Sequence, residues 1–351
     1  MKKGQKLYKQ AKKVILGGNM LFSKRPELFL PDQWPTYFSK AKGTHVWDLE
    51  NKKYLDMICT PGPNILGYSN NEIDNEVIKY VKKGNMTTFN CPEEVSLAKK
   101  ITKIHPWSKM VKFTRSGGEA NAISIRIARA ASKKDKIAVC GYHGWHDWYL
   151  SINLSGKNNL KEHLLPGLNP DGVPKNLKQT VFPFNYNDIE SLQKILKKHD
   201  IGTIKMEVAR YSKPNIEFLK EVRKIANKKK IVLIFDECTT GFRRNMGGLH
   251  LSTGVEPDMA MFGKAIGNGY AINAIIGKKK VMEAAEESFI SSTFWTERIG
   301  YVAGNTTIEL MENLKPWKNL IKMGKIYKDG CLKLAKKYDI NLDVTGIDTI
   351  N

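Results

Sequence analysis

Between residues 107 and 277, short apolar and β-branched runs alternate with segments of helical periodicity. This alternation predicts a mostly parallel β-sheet with crossover helices, because consecutive parallel strands can be joined only by a connection that crosses the sheet. The run at 231–235, Ile-Val-Leu-Ile-Phe, is apolar at every position, as expected when helices cover both faces of the sheet. The fold class is therefore α/β. The predicted strands include residues 110–114, 136–140, 202–207, 231–236, 259–262 and 272–276.

The segments on either side of this sheet have different patterns. Residues 45–48 and 53–56 predict a hairpin whose turn is Glu50-Asn51, which suits a small lobe beside the main sheet. After Ser292 the pattern becomes helical, at 300–314 and 320–337. No internal repeat and no Pro/Gly-rich linker divides the chain into independent units.

Composition narrows the class of protein. The net charge of +22 comes almost entirely from lysines scattered along the chain, without an Arg-rich tract, so nucleic acid is a poor candidate partner, whereas an anionic substrate remains open. The five cysteines are far apart, which predicts reduced, buried thiols. No apolar run approaches the roughly 20 residues of a membrane helix, and the N-terminus lacks the features of a signal peptide. We therefore expect a cytoplasmic protein without a membrane partner.

A glycine-rich segment follows the first predicted strand of the main sheet. Residues 115–120, Arg-Ser-Gly-Gly-Glu-Ala, begin a helix rich in Ala, Ile and Arg. Glycines let the backbone approach an anion closely, and the N-terminus of a helix presents unpaired N–H groups and a partial positive charge. The segment suits a bound phosphate, with Ser116, Gly117 and Gly118 as candidate residues. Taken alone, it is explained better as a strand-to-helix turn with Ser116 as the N-cap.

Two carboxylates, Asp236 and Glu237, follow the apolar run at 231–235. A carboxylate at the end of a buried strand needs a cationic partner. The protonated nitrogen of a pyridine ring is such a partner, and Asp236 would keep that ring in the form that withdraws electrons from a substrate carbanion. A helix cap or a metal site is the alternative, although no histidine lies nearby at metal-ligand spacing.

A single lysine follows another apolar strand. Residues 261–269, Met-Phe-Gly-Lys-Ala-Ile-Gly-Asn-Gly, set Lys264 among small residues and glycines, where a solvated lysine is rarely found. Burial and a nearby cationic centre lower the pKa of a lysine, which makes its neutral amine available for Schiff-base formation and for proton transfer. We therefore predict that Lys264 is both nucleophile and general acid–base.

The segment 141–147, Gly-Tyr-His-Gly-Trp-His-Asp, also follows a predicted strand. Tyr142 is the candidate to stack on a flat heteroaromatic cofactor. His143, His146 and Asp147 could suggest a metal or a hydrolase dyad, but no Ser or Cys lies in a nucleophile-elbow pattern to complete one. We predict no metal site.

In order and spacing, these four segments resemble the class III aminotransferases, the group that includes ornithine-type transaminases and glutamate-1-semialdehyde 2,1-aminomutase. The resemblance extends from about Gly17 to at least Gly304. It implies the fold type I architecture of pyridoxal-phosphate transferases, with pyridoxal 5'-phosphate as a Schiff base on Lys264. It also implies a catalytic role for Lys264, Asp236 and Tyr142. The cofactor-binding residues that it implies are Ser116, Gly117, Gly118, Tyr142, His143, Glu207, Asp236, Thr239, Lys264 and Thr293.

The resemblance further implies a homodimer with shared active sites, because the family's cofactor phosphate takes a hydroxyl from a neighbouring subunit at a pair that aligns with Ser292-Thr293. The chain departs from the family pattern at Val208, where the family has proline, and at 292–298, Ser-Thr-Phe-Trp-Thr-Glu-Arg. With residues 23–29 and 144–148, this variant is similar to an aminomutase-like subgroup associated with surface-polysaccharide sugars. We expect these segments to determine the substrate.

The division into domains also follows from the resemblance. We expect an N-terminal segment with part of a small lobe at 1–60, a large cofactor-binding domain at 61–300, and the start of a C-terminal small domain at 301–351. Members of the family continue through a further lobe, so we expect that the C-terminal lobe is truncated here.

The sequence thus predicts an enzyme that moves an amino group from an amino acid donor to a carbonyl acceptor, with a keto sugar or sugar acid as the candidate acceptor. An intramolecular aminomutase would use the same residues and remains open. An inactive relative that binds a partner or nucleic acid is the alternative of another class. Arg115, Arg210, Arg243 and Arg298 are candidates to bind a substrate carboxylate.

Overall fold

The computed structural model describes residues 2–59, 62–156, 159–160, 169–209 and 213–350. Its strands form a mixed seven-stranded sheet and a separate three-stranded sheet. The strands are β1 (Phe38–Lys42), β2 (His45–Asp48), β3 (Lys53–Leu55), β4 (Met110–Thr114), β5 (Lys136–Cys140), β6 (Val181–Pro183), β7 (Ile201–Glu207), β8 (Val232–Asp236), β9 (Met259–Phe262) and β10 (Asn273–Gly277). The α-helices are α1 (Lys3–Val14), α2 (Asn71–Val81), α3 (Pro92–Ile104), α4 (Gly117–Ser132), α5 (Asp147–Leu150), α6 (Ile189–Lys198), α7 (Ile216–Lys229), α8 (Lys279–Glu283), α9 (Arg298–Leu314) and α10 (Trp317–Lys337).

The large sheet has the strand order β4-β10-β9-β8-β7-β5-β6. Strands β5 to β9 pair in parallel, which confirms the α/β prediction, whereas β10 is antiparallel to both β4 and β9. The reversal has a local cause: residues 263–272 are too few to carry a crossover helix from β9 to a parallel neighbour. The six predicted strands all form, with ends shifted by at most one residue, and β6 was not predicted.

Helices cover both faces of this sheet, so side chains on both faces of each strand are buried. In β8, Leu233 and Phe235 belong to the core that includes helices α3, α6, α7 and α9, while Val232 and Ile234 belong to the core that includes α4. Each fully buried Ile, Leu or Phe side chain contributes about 1.5–3 kcal/mol to the free energy of folding. Strands that are covered on both faces therefore require continuous apolar runs.

Outside the large sheet, the predicted hairpin is confirmed. Strand β2 pairs with β3 in antiparallel register, and β1, which was not predicted, adds a third strand. The two helices predicted after Ser292 are α9 and α10. Within the described part of the chain, no helix is long and apolar enough to cross a bilayer.

Several strands of the large sheet end at one edge. Glu207 lies opposite Asp236, and Asp236 lies opposite Met261, so β7, β8 and β9 end side by side. Because β10 runs the other way, it begins at this edge, where its first residue pairs with Thr114 at the end of β4. The segments that follow β4, β5, β7, β8 and β9 therefore converge. The four motifs that carry the family resemblance all belong to these segments, whereas residues 23–29 and the Ser292-Thr293 pair do not.

Candidate active site

Lys264 lies at this edge, two residues beyond the end of β9. Its Nζ donates a hydrogen bond to Thr239 Oγ1 at 2.8 Å. Burial lowers the pKa of the Lys264 amine, and the nearby Arg243 guanidinium lowers it further. The backbone of Lys264 is left-handed, with φ of 46°, a conformation that is uncommon for residues other than glycine and that is concentrated at functional sites.

Asp236 ends β8 with its side chain buried. Its Oδ2 lies 2.9 Å from His143 Nδ1, and its Oδ1 accepts a hydrogen bond from the Cys238 backbone N–H at 3.1 Å. Burial alone would raise the pKa of Asp236, but the hydrogen bond from His143 and the charge of Lys205 outweigh it and hold the pKa far below its ordinary value. Asp236 is therefore an anion at neutral pH.

Asp236 and Lys264 belong to one site rather than to separate pockets. Asp236 pairs with Met261 across the β8–β9 ladder, three residues before Lys264. The charge of Asp236 also acts on Lys264, since it opposes the lowering of the lysine pKa. An anion and an amine of lowered pKa thus lie close enough to act on one small molecule.

Tyr142 lies beside this pair, in the segment after β5. Its side chain is 41% exposed, and its ring packs edge-on against Tyr149, so part of the ring remains accessible. The Tyr142 backbone N–H donates to Glu207 Oε2 at 3.0 Å, and a Cβ added to Gly141 would collide with Glu207. Glu207 therefore holds the tyrosine segment in place. His143 is fully buried behind Asp236, so it orients the carboxylate.

The Ser-Gly-Gly segment forms the N-terminus of α4. Ser116 is the N-cap, and its Oγ accepts the Glu119 N–H while the Glu119 carboxylate accepts the Ser116 N–H. The hydroxyl hydrogen of Ser116 is still available to an anion, since the capping bond uses only a lone pair. A Cβ on Gly118 would lie 2.6 Å from His146 Cε1, so a larger residue here would require the imidazole to shift. Capping and anion binding are compatible here.

Two of the candidate arginines are held in ion pairs, whereas a third is not. Arg115 is paired with Glu297 at 3.1 Å, and Arg298 makes a bidentate pair with Glu93 at 2.9 and 2.8 Å, so both stabilise the fold. Arg243 donates to the backbone oxygens of Thr239 and Gly62 and makes no ion pair within the described ranges. It therefore remains the candidate nearest to Lys264. Arg210 lies outside the described residues.

The segment 292–298 packs beside the Ser-Gly-Gly turn of the same chain. Arg115 Nη2 donates to the Trp295 backbone oxygen at 2.9 Å, and Trp295 Nε1 donates to Glu119 Oε1 at 3.3 Å. Thr293 is exposed at the start of a short 3-10 turn. A neighbouring subunit could be reached from that position, and the predicted shared contact stays a prediction.

Two buried groups, Glu237 and Lys205, have contacts that the sequence did not predict. Glu237 faces away from Asp236 and accepts hydrogen bonds from His250 Nδ1 and from the backbone N–H groups of His250 and Leu249. Lys205, in the middle of β7, is fully buried. The signal for Lys205 was present, since this lysine lies between Ile204 and Met206 within a predicted strand. The partners of Glu237 are distant in sequence and left no local signal.

These groups fit pyridoxal 5'-phosphate. The buried anion at Asp236 suits a protonated ring nitrogen, the Lys264 amine suits an aldehyde, and the accessible part of the Tyr142 ring suits a flat ring. The N-terminus of α4, with no room for a Cβ at Gly118, suits the phosphate.

Comparison with known proteins agrees with this fit. Residues 31–350 match the family described as aminotransferase class-III. The 3-aminobutyryl-CoA aminotransferase of Cloacimonas acidaminovorans (strain Evry) is 34% identical over 350 residues, which cover 97% of this chain and 80% of that protein. The glutamate-1-semialdehyde 2,1-aminomutase of Wigglesworthia glossinidia brevipalpis is 34% identical over 330 residues, or 90% of this chain and 74% of that protein.

A solved structure with the same fold is that of the FumI protein of Sphingopyxis sp. MTA144 in its PLP internal aldimine form. It matches with a TM-score of 0.88 and 26% identity, over 98% of this chain and 81% of that chain. The chain therefore belongs to the class III aminotransferases, a family of enzymes that depend on pyridoxal 5'-phosphate.

Proposed function

We propose that this enzyme moves an amino group from an amino acid donor to a small carbonyl acceptor, with Lys264 and Asp236 as its central residues. The observation that carries the proposal is their arrangement: an amine whose pKa is lowered by burial and a buried, ionised carboxylate occupy adjacent strand ends at one edge of the sheet. When bound, the cofactor supplies a ring that accepts electrons from the substrate's α-carbon.

The protein groups around the cofactor have separate tasks. Asp236 would pair with the ring nitrogen, and Tyr142 would cover the ring. Ser116, with the N–H groups of Gly117 and Gly118, would hold the phosphate. These contacts fix one orientation of the ring relative to Lys264.

Lys264 would both attach the cofactor and move a proton. With the amino donor bound, Lys264 Nζ would accept the proton from the donor's α-carbon. The hydrogen bond to Thr239 Oγ1 keeps that amine near its working position. His143 and Glu207 act indirectly, since His143 orients Asp236 and Glu207 holds the Tyr142 segment.

The acceptor is proposed to be a keto sugar or sugar acid. Support comes from the segment 292–298, which departs from the family pattern and packs against the phosphate-loop turn through Trp295 and Arg115. An intramolecular aminomutase is the second candidate, because a relative of that description is 34% identical. A mutase turns over without a second keto compound, whereas a transaminase stops after one half-reaction, so single-substrate turnover distinguishes them.

We also propose a homodimer whose sites are shared through Thr293. Thr293 is exposed, and the neighbouring Phe294 is 66% exposed, so this segment is accessible to a second subunit. Light scattering during gel filtration should give twice the chain mass, and replacing Thr293 with valine should weaken binding of the cofactor but leave the mass unchanged.

The decisive experiment is to add pyridoxal 5'-phosphate to the purified protein, reduce it with borohydride and map the attached group by mass spectrometry. The label should lie on Lys264, and Lys264→Ala should abolish both the label and amine transfer. Lys278→Ala is a matched control, because Lys278 also follows a strand directly but pairs with Asp258. A label elsewhere in the wild type, or one that persists in Lys264→Ala, would refute the assignment.

A further inference from the structure

Lys205 occupies a place where a charged side chain is costly. It lies in the middle of β7, whose seven residues are all buried, and its own side chain is 0% exposed. Fully buried lysines are rare unless a partner compensates the charge. Within the described part of the chain, no carboxylate lies within ion-pair distance of the Lys205 ammonium.

The ammonium has two polar contacts. Nζ donates to Ser124 Oγ at 3.1 Å and lies 2.8 Å from Met261 Sδ. Ser124 in turn donates to the Asn121 backbone oxygen, so its own hydrogen is already used. A hydroxyl oxygen and a thioether are weak acceptors for a full positive charge. The negative charge that compensates the Lys205 ammonium must therefore lie farther away.

The direction of the Lys205 side chain shows where the compensating negative charge lies. Lys205 pairs with Ile234 across the β7–β8 ladder, and Asp236 pairs with Met261 across the β8–β9 ladder. Ile234 and Met261 face the same core, and Asp236 is two residues beyond Ile234, so it shares that face. Because the Lys205 side chain reaches Met261, it crosses β8 beside the strand end that carries Asp236.

The ionisable groups that act on Lys205 are few. Asp236 and Cys238 belong to the end of β8, and Glu207 ends β7 itself. Helix α4 presents Ser124 to the ammonium, and neighbouring β5 presents Val139, neither of which ionises at these pH values. Burial lowers the pKa of Lys205 to about 8 against the opposing effect of Asp236, so its proton is weakly held near neutral pH.

We propose that Lys205 is a positioning residue that serves as the counter-charge of Asp236 until the cofactor binds, and that it then releases its proton to solvent. The inference rests on the proposed pairing of Asp236 with the ring nitrogen. When a cationic ring nitrogen arrives beside Asp236, two cations compete for one buried carboxylate. The lysine can become neutral, and the site then keeps a single positive charge opposite Asp236.

The test uses pyridoxamine 5'-phosphate, which has no aldehyde and cannot bond to Lys264. Calorimetric titration in two buffers of different ionisation enthalpy counts the protons released on binding. Wild type should release about one proton more than Lys205→Met at pH 7, and its affinity should rise with pH about tenfold per unit more steeply below pH 8. Equal proton release in the two proteins would overturn the inference.

Two further variants separate the possible failures. Asp236→Asn should weaken binding of pyridoxamine 5'-phosphate; if it does not, the proposed role of Asp236 fails. If Asp236→Asn weakens binding while Lys205→Met releases as many protons as wild type, only the inference about Lys205 fails. Should Lys205→Met not fold, Ser124→Ala removes an acceptor of the ammonium and should reduce the proton release; unchanged release would contradict the inference.

Discussion

Replacement by an amide is expected to lower stability more at Glu237 than at the adjacent Asp236, whose replacement should mainly reduce amine transfer. Glu237 is fully buried and accepts hydrogen bonds from His250 Nδ1 and the His250 N–H, each at 2.8 Å, from the Leu249 N–H at 2.9 Å and from the Thr240 hydroxyl. Trp107 Nε1 donates to His250 Nε2 at 3.0 Å, so the ring hydrogen of His250 must lie on Nδ1 and point at Glu237. Glu237 is the acceptor in every one of these bonds.

Glu237→Gln replaces one acceptor oxygen with a donor NH2 group. If the amide nitrogen takes the place of Oε2, the Thr240 hydroxyl can rotate to accept from it, but the Leu249 N–H loses its acceptor. The loss of a charge-assisted hydrogen bond and the burial of an unpaired N–H together cost about 3–5 kcal/mol. With the alternative orientation, His250 would lose two bonds. In a chain of this size that loss lowers Tm by roughly 4–7 °C.

The assay is calorimetric melting of the cofactor-free proteins at pH 7, with Asp236→Asn as the matched control. In that variant the new amide would keep the bond from the Cys238 N–H through its carbonyl oxygen, and His143 Nδ1 can accept from its NH2 group while Nε2 donates to the Cys140 backbone oxygen. We therefore expect a smaller loss of Tm for Asp236→Asn, accompanied by a large loss of amine transfer. A Tm of Glu237→Gln within about 2 °C of wild type, or a greater loss in Asp236→Asn, would refute this reasoning.

Other expectations follow from single contacts. Gly118→Ala, whose Cβ would lie 2.6 Å from His146 Cε1, should weaken binding of pyridoxal 5'-phosphate at least about tenfold in a fluorescence titration. The control is Gly330→Ala, where a Cβ meets no atom within 4 Å. Equal affinities of the two variants for the cofactor would contradict the phosphate-site assignment. Burial lowers the pKa of His105 to about 4. Because the unfolded chain takes up that proton at a higher pH, the free energy of unfolding should fall by about 3 kcal/mol as the pH drops from 6.5 to 4. Urea denaturation of His105→Gln should show a flatter profile, and a slope like that of wild type would argue against it.

Local sequence was sufficient for most of the fold. The six apolar runs predicted six strands because buried strands need apolar residues on both faces. The family resemblance grouped Lys264, Asp236 and Tyr142, and the strand order is consistent with that grouping because residues that directly follow parallel strands meet at one edge of the sheet. Strand β6 was missed because it has only three residues and includes a proline, and the direction of β10 depends on the length of its connection.

What the sequence alone determined, then, is the α/β class, the family and the identities of the groups that follow each strand, because these depend on periodicity and on residues adjacent in the chain. Tertiary structure decided which partner each group has. His143 is 93 residues from Asp236, and Arg115 is 182 residues from Glu297, so neither pairing leaves a local pattern. The same holds for Lys205, because only the strand order places its buried charge beside Asp236. Contacts between distant segments depend on how the strands are ordered and which face each side chain occupies, and packing of the whole chain settles both.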